Sequence, residues 1–268
     1  MHINGSNDNS ELIKERTGCK TINSQGLEMT CTEYKNALNI IVEFENPYYK
    51  TKSCWSNFIN GKIRNPNIPS VYGVGIVGDK YPTNNSKKKI KEYQCWADLL
   101  FRVYGNKRND STSLRYKECT ICDEWLYYPN FYEWLHNQEN FDKWYNGERW
   151  CLDKDIIIKG NKIYSPETCC LVPNNVNTLF VKKDANRGGL PIGVTKNHNK
   201  FMALCSTPLL GMHNKYLGNY NTPLEAFYAY KYFKEDLIKE IAEIEFYKGN
   251  ITKKCYDAMI NYKVEITD

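Results

Sequence analysis

The sequence predicts an α+β chain built from several small modules. A β-rich N-terminal module is expected over residues 11–78, a middle module with a short hairpin and aromatic helices over 79–182, and a three-stranded sheet packed on one helix over 186–268. Three observations predict this. Ile40, Val42 and Phe44 alternate with Ile41, Glu43 and Glu45, the period of a half-buried strand. The stretch from Leu152 to Asn177, LDKDIIIKGNKIYSPETCCLVPNNVN, sets two acids before short apolar runs divided by Gly160-Asn161. Three short apolar runs between Gly193 and Tyr220 lead into Thr222-Pro223-Leu224-Glu225, a helix-start signal. With 268 residues the chain can bury a core without having to fold as one domain.

The N-terminal module begins after a polar stretch that runs to about Ser10. Met29 and Cys31 begin the strand that pairs with Ile40–Phe44 across the connection at 34–39. Trp55, Phe58 and Ile59 recur at helical spacing, and Gly61 is a natural stop. Pro66, Pro69 and several glycines then mark a loop.

From Tyr93 to Phe141 the pattern is helical and aromatic. Trp96, Leu99, Leu100 and Val103 form one apolar stripe; Trp125, Phe131, Trp134 and Leu135 form another. At this spacing aromatic side chains are expected in a core. His136 lies on the second stripe's helix, as a surface or core residue. The net charge of +5 is modest but uneven: Lys80, Lys87, Lys88, Lys89, Lys91, Arg102, Lys107, Arg108, Arg115 and Lys117 crowd one region interleaved with Tyr81, Tyr93, Trp96, Tyr104 and Tyr116. Such a stretch suits a polyanion, because neutralised phosphates release counterions.

The eleven cysteines are odd in number and irregular in spacing. The start, Met1-His2-Ile3-Asn4-Gly5, carries no charged-then-apolar leader, and no run is long enough for a membrane span. The thiols are therefore expected to be reduced and packed as small hydrophobes, in a cytoplasmic protein. Cys119-x-x-Cys122 invites a zinc reading with Cys169-Cys170 or Cys151 as a second half. Structural zinc sites usually present two spaced pairs, so core packing is the default.

In the 152–177 stretch, Ile156–Ile158 reads as one strand, Ile163-Tyr164 as its partner across a Gly160-Asn161 turn, and Ser165-Pro166-Glu167 as a turn or helix start. Acids on one side of a hairpin and Asn on the element behind it can converge on a divalent cation, and Mg²⁺ takes such hard oxygens together with water and phosphate. The run resembles the HNH nuclease motif, a ββα-metal unit, in the form common in bacteriophage endonucleases. The resemblance implies that Asp153 is the metal-binding acid and that Asn177 supplies the last ligand, with Asn174 and Asn175 as alternatives. It implies Mg²⁺ or Mn²⁺ as cofactor. Lys154 stands where many members carry the general-base His, and Thr168 replaces the middle Asn. A lysine near its usual pKa of about 10 is protonated, so Asp155, His136 or the metal itself is left to activate the water.

The C-terminal run reads as strands at 193–195, 200–205 and 215–220. Phe201, Ala203 and Cys205 alternate with Met202 and Leu204. The helix after Thr222 places Ala226, Ala229, Tyr230, Phe233, Leu237, Ile241 and Ile244 along one face. The order G-V, K-F-x-A, K-x-L-G-x-Y-x-T-x-x-E-A and A-Y resembles the APETALA/ethylene-response-factor DNA-binding domain. The resemblance implies a sheet that lies in the major groove, with Arg187, Lys196, His198, Lys200, Lys215 and Tyr216 as DNA contacts and double-stranded DNA as the partner of a monomer. Together the two resemblances imply a site-selective, metal-dependent endonuclease of the homing type, encoded by a phage or mobile element. The alternative is a DNA-binding protein with a degenerate HNH core.

Overall fold

The protein is described by a computed structural model over residues 9–105, 116, 118–181, 188–207 and 212–268. It is a mixed α+β chain with several small sheets. Two compact units are present: residues 1–108 with 123–132, and residues 109–122 with 133–268.

The first unit opens with helix α1 (Asn9–Arg16) and a four-stranded antiparallel meander, β1 (Lys20–Ile22), β2 (Glu28–Asn36), β3 (Asn39–Glu45) and β4 (Tyr48–Ser53). The alternation read in the sequence is the cause. Ile40, Val42 and Phe44 point to a core that also holds Met29, Cys31, Tyr34, Phe58 and Ile63. Helix α2 (Trp55–Ile59) covers this core, with Trp55 stacked on Phe58 at 5.2 Å and the Arg16 guanidinium 4.7 Å from the Trp55 ring. The described part of the unit continues with a two-stranded ribbon, β5 (Asn84–Asn85) and β6 (Lys88–Lys89), and helix α3 (Lys91–Tyr104). Trp96, Leu99, Leu100 and Val103 of α3 are buried as their spacing predicts, and Trp96 Nε1 donates to the Trp125 carbonyl at 2.7 Å.

The second unit contains the acid-bearing stretch and the C-terminal sheet. Two strands too short for any local periodicity, β7 (Thr120–Ile121) and β9 (Ile163–Tyr164), pair in parallel. Helix α4 (Tyr128–His136) contributes its last residues to this unit, followed by α5 (Phe141–Asn146). Strand β8 (Trp150–Asp153) pairs antiparallel with β10 (Cys170–Pro173), and α6 (Asn174–Asn177) follows at once. The hairpin expected between Ile156–Ile158 and Ile163-Tyr164 is not formed, because 154–162 is a bent connection and the strand partner of β8 lies beyond it. The physical reason is local. Asp153 ends its strand by accepting the backbone N–H groups of Asp155 and Ile156, so these amides are withdrawn from any ladder.

The C-terminal sheet has the order β11 (Val194–Asn197), β12 (Lys200–Thr207), β13 (Met212–Tyr220), antiparallel throughout. It packs on helix α7 (Pro223–Tyr247), whose start carries the expected capping box: Thr222 accepts from the Glu225 N–H, and Glu225 accepts from the Thr222 N–H. Ala226 and Ala203 are fully buried where helix meets sheet. Gly193 has φ +76, and a Cβ there would overlap the Tyr230 ring, so only glycine lets the chain enter β11 across α7. Helix α8 (Lys253–Ile260) then packs on α7. No helix among the described residues is long and apolar enough to cross a membrane.

Candidate metal and nucleic-acid site

Asp153 closes β8, opposite Cys170 at the start of β10. Its Oδ1 accepts two backbone N–H groups, from Asp155 and Ile156, both at 2.8 Å. Those bonds favour the carboxylate, yet the side chain is half-buried and next to Asp155. Burial and then the charge of Asp155 win, and the carboxyl is raised to about 6. Two acids on one bend thus share an electrostatic conflict that protonation or a cation resolves.

Lys154 lies between them in sequence and is buried, with its Nζ 3.0 Å from Asp155 Oδ2 and 5.8 Å from the Tyr164 ring centroid. Burial works against its charge, but the charge of Asp155 and the hydrogen bond to it outweigh burial, and the ammonium is held above its ordinary value. Lys154 is a donor and a positive charge, without a lone pair for taking a proton from water.

Of the three Asn candidates, two are engaged. Asn174 Oδ1 accepts from Cys151 Sγ at 3.5 Å, and Asn175 Oδ1 accepts the Val176 N–H at 2.9 Å. Asn177, half-buried at the end of α6, keeps its side-chain amide without a hydrogen-bond partner among the described residues. Helix α6 starts from the end of the β8/β10 pair remote from Asp153 and lies against both strands.

Thr168 does structural work in the connection: its hydroxyl donates to the Ile163 carbonyl at 2.7 Å and lies 3.1 Å from Ser165 Oγ. A residue the sequence reading used only as a turn former does more. Asn161 Nδ2 donates to the carbonyls of Lys154 at 2.7 Å and Ile163 at 2.6 Å, and its Oδ1 accepts the Ile163 N–H at 3.2 Å. It clips both ends of the bend that presents Asp155. The signal was the position of an Asn directly after Gly160, whose φ of +78 turns the chain there.

His136 ends α4 with its ring 4.0 Å from that of Phe141. The thiols of Cys119, Cys169 and Cys170 are buried and all pushed up: Cys119 by burial, Cys169 to about 12 by burial, and Cys170 by a hydrogen bond with Cys255 and then burial. Such thiols behave as core side chains. Among the described residues no group of three or more His, Cys, Asp or Glu is placed to hold a metal ion. Beside Asp153 the geometry places one further acid, Asp155, whose charge acts on it; no contact joins Asn177 to either acid among the described residues.

The register of the C-terminal sheet divides the candidate DNA contacts. Ala203 and Cys205 face the helix, and so by register do Lys196, paired with Phe201, and Lys215, paired with Cys205. Lys215 Nζ sits 4.6 Å from the Phe233 ring on α7. The opposite, open face presents Thr195, Asn197, Lys200, Met202, Leu204, Tyr216 and Asn219. Asn197 donates to Asn219 across it at 3.4 Å. His198 occupies the two-residue turn between β11 and β12 with φ +51. Arg187 lies outside the described residues. Lys200 and Tyr216 therefore share one surface, while Lys196 and Lys215 border it from behind. Comparison with protein families, curated proteins and solved structures finds no match to this chain.

Proposed function

We propose that the chain is a site-selective DNA endonuclease of the HNH homing type, encoded by a phage or mobile element, that hydrolyses phosphodiester bonds with Mg²⁺ or Mn²⁺. The observation that carries this reading is the Asp153–Asp155 pair at the end of β8, two carboxylate donors close enough that burial and the second charge raise the Asp153 carboxyl to about 6. These donors fit Mg²⁺ or Mn²⁺, and a bound cation removes the cost of ionising both acids. Asp153 and Asn177 would hold it, with Asp155 completing the acidic side. The cation supplies Lewis-acid polarisation of the scissile phosphate and a bound water of lowered pKa.

The chain's own residues have separate tasks. Asp153 brings negative charge to the bend and keeps the bend's shape through its two N–H bonds. Lys154, paired with Asp155 at 3.0 Å, is the cation that would steady a phosphate oxygen beside the acids. Asn161 fixes the path of the bend. The open face of the β11–β13 sheet, with Lys200 and Tyr216, contacts duplex DNA, since strands are a known reading element of the major groove. One such site per chain corresponds to nicking of one strand by a monomer.

A second reading, a DNA-binding protein with a degenerate core, is favoured by two observations: Lys154 is an ammonium, and the Thr168 hydroxyl is spent on the Ile163 carbonyl. One experiment separates the two. Supercoiled plasmids carrying the source genome are incubated with the protein and Mg²⁺ or Mn²⁺, and open circles are counted. Nicking by the wild type, lost by 10²-fold or more in Asp153→Ala with DNA binding retained, is the expected result. Salt-dependent binding with no nicking under either metal would leave the binder.

A further inference from the structure

The β5–β6 ribbon of the first unit has the composition of a contact surface and none of the features of a core element. Asn84 pairs with Lys89 and Asn85 with Lys88, and Ser86-Lys87 makes the two-residue turn with Ser86 at φ +56. All six residues are exposed. A two-stranded ribbon with no apolar residue on either face gains nothing from burial and is marginal by itself. It is held at its base, where the Ile90 N–H donates to the Thr83 carbonyl at 3.1 Å and α3 begins directly afterwards.

Three consecutive lysines repel one another, and among the described residues none of Lys87, Lys88 and Lys89 forms an ion pair. Successive strand residues point to opposite faces, so Lys88 with Asn85 charges one face, Lys89 with Asn84 the other, and Lys87 the tip. Lys89 also lies 5.6 Å from the Tyr93 ring at the base. A flat acidic surface would meet one face and leave the other lysines unused. A partner that meets both faces and the tip is a groove with anionic walls.

We propose that this ribbon is a DNA-binding element that enters the major groove of B-form duplex, with its lysines on the phosphate rows to either side. This rests on the DNA reading above and adds a second contact region remote in sequence from the C-terminal sheet. The major groove, about 12 Å wide, admits a two-stranded ribbon, whereas the deep, narrow major groove of A-form RNA does not.

The test is fluorescence anisotropy of the full chain on duplex DNA over a salt series. The variants are the triple Lys87→Ala/Lys88→Ala/Lys89→Ala and the charge-keeping triple Lys87→Arg/Lys88→Arg/Lys89→Arg, each checked by circular dichroism. Each lost phosphate contact removes about 0.9 from the slope of log affinity against log salt, so the alanine triple is expected to flatten it by about 2.7. The arginine triple is expected to keep the wild-type slope, and a major-groove ligand such as methyl green to displace the wild type more readily than the alanine triple. An alanine triple with the wild-type slope overturns the ribbon and leaves the DNA reading standing. A wild type with no salt-dependent duplex binding overturns both.

Discussion

Asp153 is asked to do two things that pull its proton in opposite directions. As the acceptor for the Asp155 and Ile156 N–H groups it is best ionised; half-buried beside Asp155 it is best neutral. The second influence wins, and the folded chain holds that proton up to about pH 6 where the unfolded chain releases it near 4. Between these values the native state binds more protons than the unfolded state, so stability falls as pH rises through the window and stays lower above it. Asp153→Asn keeps an oxygen for the two N–H donors and removes the charge. In chelator it is expected to melt higher than the wild type at pH 7–8, by about 1–3 kcal/mol, and to lose the fall between pH 4 and 6. Adding Mg²⁺ is expected to stabilise the wild type and leave the variant unchanged. Differential scanning fluorimetry over that range is the measurement, and identical pH profiles for the two proteins would remove the strain assigned to Asp153.

At the scale of elements, what was legible depended on whether backbone groups found backbone partners. The β3 alternation, the α3 stripe and the C-terminal sheet with its capping box were all readable, because period and cap residues decide those elements locally. Ile156-Ile157-Ile158 misled for the opposite reason. Its β-branched residues favour a strand, but the side chains of Asp153 and Asn161 take the backbone groups around it, and Ile156 serves the core from within a bend. The parallel β7/β9 pair and the polar β5–β6 ribbon have no periodic signal at two residues per strand. Of the candidate site, the sequence offered the acids but not their geometry: the bend between them and the clip at Asn161 came only with the structure. Asn161→Ala leaves the Lys154 and Ile163 carbonyls without this donor and is expected to cost about 1–2 kcal/mol in urea unfolding. Asn161→Asp cannot donate and is expected to reproduce most of that loss; a neutral Asp variant would mean that the clip is not made by the amide donor.

At the scale of the whole molecule, the acid-bearing strands and the C-terminal sheet are parts of one body within the second unit. Ile156, Cys170, Val172, Val176 and Leu179 from the β8–α6 region share a single core with Val194, Ala203, Cys205, Ala226, Phe227, Ile238 and Met259. Polar ties repeat the connection. Asn140 donates to the carbonyls of both Leu171 and Asn250 at 2.9 Å, and Lys159 donates to the Lys263 carbonyl and to Asp268, both at 2.7 Å. A shared core is a cooperative unit, so loss of packing on one side must be felt on the other. The N-terminal meander has a separate core around Val42 and Phe44. Val172→Ala, a fully buried truncation, is expected to destabilise the second unit by about 2 kcal/mol. Hydrogen exchange read by mass spectrometry is expected to rise together in peptides from β8, β10, β12 and α7. Phe44→Ala is expected to cost about 3–5 kcal/mol and to raise exchange in β2 and β3 without that joint rise. Acceleration confined to 150–180 in Val172→Ala would mean that the acids and the sheet move independently. It would also remove a further consequence of the nuclease reading: with acids and sheet on one core, the nick must fall at a fixed offset from the sequence the sheet contacts.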